Sequence, residues 1–564
     1  MASKRIVVVG GSAAGPKAAS RAKRMNQDAE VVLIQRAPEL SMASCAYPYF
    51  IKGEVAKRDQ LLSTPTGVVR NPTFFEGAKG VHAYVETEVE SIDRAAKKIV
   101  AKNLRDGSTQ EIEYDSLILC TGANPRMPPL PGSDLKGITP LHAMKDADFL
   151  ASVRGNPEIK RAVIIGGGLI GIETSEALQH IGLEVTVVEL LPQILMFLDW
   201  ELALVVENHV RANTVDVIEE NGVSEYLGEN GAVTGVRLKD GREIPCDLVV
   251  VSIGVSPNTE LARNAGLTIG ETGGIQVDAH MKTSDPSIYA AGDCTEKVNR
   301  ITGKKCLAPF GDVANLEGRV AGENAAIGDT ATFPGVVLSG ICKVFNLSAG
   351  STGLSERMAR AAGYDVLTAT NAGPDKPGFM GGKLVISKMV IERETERVLG
   401  FQCIGAGDVN RQVAEAATAV NLGAKLSDLV NLDLPYAPPF SLALDHFLTT
   451  AHVAENKLRG LFHGVNCNYV LEASKKEPKP FMLDVRSPDE WEEIRIGIGE
   501  ILIPLGNLRN RLNELPQDKD AEILCWCKVS MRGYEAERIL AAHGWTNIKV
   551  MEGGVMAWPF EREK

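Results

Sequence analysis

No run of about 18 apolar residues occurs in the 564-residue chain, so no stretch reads as a membrane-spanning helix. Met1-Ala2-Ser3-Lys4-Arg5 leads directly into the apolar Ile6 to Val9, without a signal-peptide hydrophobic region or a small-residue cleavage site, and a cytoplasmic location is expected. Basic charge is also short. The 60 Lys and Arg against 72 Asp and Glu leave a net charge of −12 and no electrostatic footprint for nucleic acid or an anionic membrane. Ten scattered cysteines do not make a disulfide framework, and Cys120, Cys246, Cys342 and Cys403 lie in strand-like apolar runs as core residues. No cysteine stands between Cys45 and Cys120. No metal-ligand set is read from the chain.

What is present is a large, multidomain composition: 44% hydrophobic and 23% charged residues, over a length that calls for about three to five domains. Gly10-Gly11-Ser12-Ala13-Ala14-Gly15 follows an apolar strand at residues 5–9 and opens a helical pattern over 16–24. A strand, tight turn and helix in that order place a pyrophosphate on the helix N-terminus, with Gly10 and Gly15 at the tight positions. Ser12 takes the middle glycine position, and Gln35, not an acid, ends the second strand at 31–34. The same grammar returns in full further along. Gly166, Gly168 and Gly171 follow a strand, and Glu189 ends the next one at 185–188. A carboxylate there accepts from ribose hydroxyls and repels a 2′-phosphate, which favours NADH over NADPH. The fold class expected is α/β with two Rossmann-like dinucleotide-binding domains.

Two further stretches carry a specific resemblance. The strand ending in Thr121-Gly122 and the strand Ile288-Tyr289-Ala290-Ala291 ending in Gly292-Asp293 resemble those of the FAD- and NAD-dependent pyridine nucleotide-disulfide oxidoreductases. The resemblance implies bound FAD, with Asp293 toward its ribityl and pyrophosphate portion. It also implies a discontinuous FAD domain at 1–125 and 258–330, an NADH domain at 126–257, and an α+β dimerisation domain at 331–455 that makes the protein a homodimer. In the last of these, strands are expected at 343–345, 384–391 and 398–404 and a helix at 410–421. After a linker at 456–464 and a polar stretch at 472–480, residues 465–564 resemble a C-terminal α/β rhodanese domain. The carriers are Asp484-Val485-Arg486, Cys527 to Gly533, and Gly553-Gly554-Val555.

Cys45 sits within Ser41-Met42-Ala43-Ser44-Cys45-Ala46-Tyr47-Pro48-Tyr49, where a turn is expected to bare and activate it. Lacking a near partner, it cycles as a single thiol through a mixed disulfide, a persulfide or a sulfenic acid. The segment resembles that of the coenzyme A-disulfide and persulfide reductases of the family. That resemblance implies a coenzyme A groove at Arg21, Arg24, Ser41, Asn315 and Arg319, where arginine forks suit phosphate oxygens. Tyr436 matches one of two tyrosines the family uses beside the thiol. The other is lost from Asp375-Lys376-Pro377-Gly378, where Lys376 is an alternative donor or part of an ordinary surface loop.

Cys527 is expected at the end of a strand at 522–524 and before a helix at 534–542, in a loop whose N–H groups and helix dipole favour a thiolate or persulfide anion. Arg532 is expected to close this cradle. Cys525, two residues away, is expected in the core. The sequence thus points to an NADH- and FAD-dependent reductase of coenzyme A persulfides, disulfides or polysulfides, with Cys45 and Cys527 as its thiols and small thiol compounds as its partners. Two rivals stand beside it: an NADH oxidase that holds Cys45 as a sulfenic acid, and a sulfur-carrier or redox-sensing flavoprotein.

Overall fold

The computed structural model describes residues 4–563, in two compact units: Met1–Leu191 with Ile218–Val336, and Pro192–Val217 with Val337–Lys564. In the first unit, Arg5–Val9 is the middle of a five-stranded parallel sheet in the order Ile288–Ala290, Ser116–Leu119, Arg5–Val9, Glu30–Ile34, Val81–Tyr84. Four of its strands are apolar and buried almost throughout because both faces are covered, while the edge strand Val81–Tyr84 alternates. Strand Ile288–Ala290 comes from beyond an insertion, so this sheet is assembled from two separate stretches of chain. The insertion holds its own parallel strands, ordered Glu184–Val188, Arg161–Ile165, Leu248–Val251, Ile138–Pro140. Where the chain passes out and back, Ala123–Pro125 and Val255–Pro257 pair antiparallel, so the two crossings are zipped together.

The helix expected at 16–24 spans Ala14–Met25, and it buries a face of Ala14, Ala18, Ala19 and Ala22. Helix Gly311–Ile327 lies directly on it: a Cβ on Gly318 would come 2.4 Å from the Ala14 carbonyl, and one on Gly322 would come 2.2 Å from that of Ala18. Only glycine permits that approach.

The second unit contains a five-stranded antiparallel sheet in the order Gly340–Val344, Leu347–Gly353, Val398–Gly405, Leu384–Glu392, Val366–Pro374. The first of these was expected at 343–345. It ends at Val344 because Phe345 turns to φ 56° on the way to the next strand. The expected helix is Val409–Leu422. A second, parallel sheet follows in the order Gly464–Val465, Ile548–Met551, Ile523–Trp526, Phe481–Asp484, Ile501–Leu502, around the buried Trp526 and Trp558. Helix His446–Leu458 enters the stretch expected as linker and Gly464–Val465 joins the sheet beyond it, so 459–463 make the connection. The polar stretch begins inside helix Cys467–Ser474. Helix Trp200–Ala212, from the sequence range expected for the NADH domain, groups with the second unit.

Candidate functional site

At the first glycine turn, Gly10 takes φ 108°, and a Cβ there would meet the Cys120 carbonyl at 2.0 Å. A Cβ on Gly15 would meet the Gly10 carbonyl at 1.8 Å. The turn is closed by Gln35, whose Oε1 accepts the Gly11 N–H at 3.0 Å and whose Nε2 donates to the Glu39 carbonyl. The amide thus does the turn-bracing part of an acid's work. Thr121 Oγ1 donates to the Asn258 carbonyl at 2.6 Å, leaving open space at Gly122. Asp293 follows Gly292 at φ 87° and accepts no hydrogen bond from any described residue. Burial pushes its carboxyl up, with Lys297 and His142 opposing. A carboxylate so placed calls for a donor; ribityl hydroxyls are donors, and this set of residues fits FAD.

The second turn repeats the first with a carboxylate. Gly166 takes φ 107°, Gly171 packs on the Gly166 carbonyl, and exposed Gly168 heads helix Leu169–His180 with nothing within 4 Å of a Cβ position. Glu189 Oε2 accepts the Gly167 N–H at 2.7 Å and its Oε1 accepts from Leu191. Exposed Ile170, Leu190 and Ile253 adjoin this turn and its strand ends, an apolar rim suited to a nicotinamide dinucleotide.

Cys45 lies in the single turn Ser44–Ala46, and as a residue it is exposed. Its sulfur faces the first turn of helix Gly311–Ile327, 4.0 Å from a Cβ position on Gly311. The turn bares this thiol but does not by itself activate it. Partial burial of the sulfur raises its pKa, the Glu173 and Asp293 carboxylates add to the rise, and the Ser44 hydroxyl only partly offsets it. Cys120 is buried and reaches no disulfide.

From Gly311, residues Asn315 and Arg319 follow at four-residue spacing on the same helix face, both exposed. Arg24 is exposed and donates to the Ser20 carbonyl at 3.0 Å. Arg21 differs: its Nε donates to Glu323 at 2.9 Å in a pair that is mostly buried. Of the two helix arginines, it is Arg24 that stands free of a carboxylate among the described residues. Ser41 takes φ 53°, and its N–H donates to the Gly11 carbonyl at 2.7 Å, which ties the Cys45 segment to the first glycine turn.

Sequence reasoning missed the acids behind Cys45. Tyr49 OH donates to Glu173 Oε1 at 3.1 Å, and Lys52 Nζ pairs with Glu176 at 2.8 Å and Glu54 at 2.7 Å. These bonds join helix Tyr47–Lys52, next to the thiol, to the helix that opens at the second glycine turn. The available signal was position, since Glu173 and Glu176 follow Gly171 on that helix.

Cys527 follows strand Ile523–Trp526, and it is fully buried rather than bared. Its carbonyl accepts the Val555 N–H at 2.9 Å. The helix expected at 534–542 begins at Met531, which puts Arg532 in its first turn behind Ser530 at φ 86°. Arg532 does not close the cradle alone. Its Nη1 and Nη2 bind Glu490 at 2.7 and 2.8 Å, and this pair holds the Glu490 carboxyl down at about 2. The guanidinium also interacts with Cys527, after Glu490 among the groups that raise its pKa. Cys525 Sγ points to the Gly533 carbonyl at 3.5 Å, a core position. Arg486 and Asp484, both buried, brace the neighbouring strand end through a 2.7 Å pair. Tyr436 is 53% exposed in the segment before helix His446–Leu458, and Lys376 follows strand Val366–Pro374; both belong to the second unit.

The chain matches the family model of pyridine nucleotide-disulphide oxidoreductases over residues 4–305, that family's dimerisation domain over 340–447, and a rhodanese-like domain over 468–560. It is similar to the solved NAD-dependent persulfide reductase of A. fulgidus, at 41% identity and a TM-score of 0.93 over 99% of this chain and 100% of that one. It is 34% identical over 455 residues to a CoA-dependent NAD(P)H sulfur oxidoreductase of Pyrococcus furiosus, covering 80% of this chain and 99% of that protein. It is 32% identical over 456 residues to an NADH oxidase of Methanocaldococcus jannaschii, again covering 80% and 99%. With the paired glycine turns, the lone thiol and the dimerisation sheet all present, the chain belongs to the pyridine nucleotide-disulphide oxidoreductase family and carries a rhodanese domain at its C-terminal end.

Proposed function

We propose that the protein is an NADH-dependent flavoprotein reductase of persulfides, polysulfides or disulfides, with coenzyme A or a similar small thiol as the carrier, and that its rhodanese domain passes sulfane sulfur. The observation that carries this reading is a division of labour between two thiols. Cys45 is single, exposed and beside the FAD-type Asp293, whereas Cys527 lies in a buried cradle at a helix start. FAD, held by Gly10, Gly15, Gln35, Thr121, Gly122 and Asp293, and NADH, held by Gly166, Gly168, Gly171 and Glu189, supply two electrons when bound.

Cys45 loses its proton to solvent and, as the thiolate, attacks the outer sulfur of a persulfide or one sulfur of a disulfide. A new S–S bond to Cys45 forms, the old one breaks, and a thiolate leaves. Two electrons and a proton, from NADH and H⁺, then cleave the bond at Cys45 and release hydrogen sulfide from a persulfide or the second thiol from a disulfide. Arg24, Arg319, Asn315 and Ser41 bind the nucleotide part of the carrier, with Arg21 held beside them by Glu323. Cys527 takes sulfane sulfur as a persulfide anion within the Arg532 cradle. The protein acts as a homodimer through its dimerisation domain, with Tyr436 beside the thiol of the other protomer and Lys376 in the turn that lacks the second tyrosine. Its ten free thiols suit the reducing cytoplasm.

Anaerobic NADH consumption with coenzyme A persulfide and with coenzyme A disulfide tests the reading. Cys45→Ser abolishes both while FAD stays bound, and Cys527→Ser impairs only sulfur acceptance; absence of thiol-dependent turnover overturns the proposal. The similarity to the M. jannaschii oxidase favours one second reading, reduction of oxygen through a Cys45 sulfenic acid. Turnover that depends on Cys45 and oxygen but on no thiol supports it.

A further inference from the structure

Strand Val366–Pro374 is an edge of its antiparallel sheet and pairs on one side only, with Thr370 opposite Lys388. Alternate residues of an edge turn N–H and C=O groups outward, and such groups are costly when buried without partners. Two charged side chains from later in the chain fill them here. The Thr370 N–H donates to Glu552 Oε2 at 2.7 Å, and the Thr368 carbonyl accepts from Lys457 Nζ at 2.7 Å. Lys457 and Glu552 also pair with each other, and Glu552 is 5% exposed.

Glu552 is at the same time part of the wall behind Cys527. Its own N–H donates to the Val465 carbonyl at 2.9 Å. Gly553 and Gly554 come next, at φ 70° and 56°. A Cβ on Gly553 would lie 3.5 Å from Thr370 Cγ2, while one on Gly554 would strike the Cys527 carbonyl at 2.3 Å. The N–H groups of Val555 and Met556 donate to the carbonyls of Cys527 and Lys528 at 2.9 and 3.0 Å. One five-residue turn therefore holds the edge strand at one end and the sulfur loop at the other. A second tie lies just beyond it, where Asn208 Nδ2 donates to the Pro559 carbonyl at 2.6 Å and Phe560 packs on Trp200.

We infer that Glu552 is a positioning residue that latches the Cys527 loop to the edge strand of the dimerisation sheet, so that the rhodanese domain works as a docked part of that sheet's module and not as a swinging appendage. Its effect on sulfur transfer rests on the rhodanese reading of Cys527; the latch itself does not. The carboxylate answers both an ammonium and a backbone donor at a position only 5% exposed, so removing it leaves two buried groups without their partner.

Hydrogen–deuterium exchange on the full-length, FAD-loaded protein tests it. In Glu552→Gln and Glu552→Ala, exchange at the Thr370 amide and over residues 527–533 accelerates about tenfold or more, while peptides around Cys45 keep their rates. Cys527-dependent sulfur transfer falls about tenfold as the loop loosens, with NADH-driven disulfide reduction per flavin unchanged. Unchanged exchange at Thr370 and 527–533, or acceleration spread evenly over the whole second unit, overturns the latch. Should both variants fold poorly, Glu552→Asp, which keeps the carboxylate and shortens its reach by one methylene, decides the matter. Joint acceleration of exchange at Thr370 and over 527–533 supports the latch, and acceleration at Thr370 alone overturns it. Wild-type transfer in Cys527→Ser sinks the rhodanese reading and leaves the exchange result to judge the latch alone.

Discussion

Glu189 accepts the N–H of Gly167 at 2.7 Å, so the carboxylate expected to read a ribose is itself fixed by the second glycine turn. Charge and position separate by mutation. Glu189→Gln keeps an acceptor for Gly167 and loses the repulsion of a 2′-phosphate, so kcat/KM for NADPH rises about tenfold while that for NADH falls less than about fivefold. Glu189→Ala loses the acceptor too, and NADH kcat/KM falls about 10- to 100-fold, as an unpaired buried N–H requires. Steady-state rates with both nucleotides check this.

The acids around Cys45 give a second prediction. Glu173 is the leading charged group raising the thiol, after burial. Glu173→Gln therefore lowers its pKa, and iodoacetamide alkylation of Cys45 at pH 8 speeds up about three- to tenfold, the gain of about half to one pKa unit. An unchanged pH profile of alkylation would place Glu173 too far from the sulfur to matter.

Both glycine turns, their strands and the lone character of Cys45 were legible in the sequence because each is local. Gly10 and Gly166 sit at φ values that glycine tolerates, and the spacing to Gly15 and Gly171 follows from close helix–strand packing. What escaped the sequence is what tertiary contact decides. Arg21 and Arg24 lie three residues apart on one helix, and only the arrival of helix Gly311–Ile327 commits Arg21 to Glu323. Arg532 carries the right spacing from Cys527, yet its charge is shared with Glu490 from a helix 42 residues earlier. Glu173, the leading acid near Cys45, comes from a different sheet's helix altogether, so nothing in the Cys45 segment announces how far its thiol is raised.

That difference between the two arginines is measurable. Arg24→Ala and Arg319→Ala each raise KM for coenzyme A disulfide about 10- to 100-fold with kcat little changed, since a lost charged hydrogen bond costs about 1.5–3 kcal/mol. Pantethine, which lacks the nucleotide, shows no such rise. Arg21→Ala mainly lowers thermal stability, because it strands the mostly buried Glu323. Equal KM effects for the two disulfides would remove the nucleotide from this face.

Glu490 supplies a pH test of the Cys527 cradle. Its carboxyl is held at about 2 in the folded protein, against an ordinary value of 4.5. A depressed carboxyl stabilises the fold fully above the ordinary value and loses that contribution as pH falls toward about 2. The stability of Glu490→Gln and wild type in urea therefore differs most at neutral pH, and the gap closes between pH 4.5 and about 2. A gap that persists at the acid end would mean the arginine pair is not its source.

Ser530 heads the helix behind Cys527 at φ 86° and ψ −34°, a conformation in which a side chain is strained. Leaving that conformation to a residue without Cβ relieves about 1–2 kcal/mol. Against this stand the extra freedom of glycine in the unfolded chain, about 0.4–1 kcal/mol, and the loss of a long bond from Ser530 Oγ to the Met551 carbonyl at 3.3 Å. The balance favours Ser530→Gly by less than about 1 kcal/mol, read as a small rise in the denaturant midpoint of the second unit. A fall instead would show that the hydroxyl, which reaches back to the strand before Glu552, outweighs the strain. In that event the serine would be part of what holds the sulfur loop, and its removal would slow sulfur transfer as well.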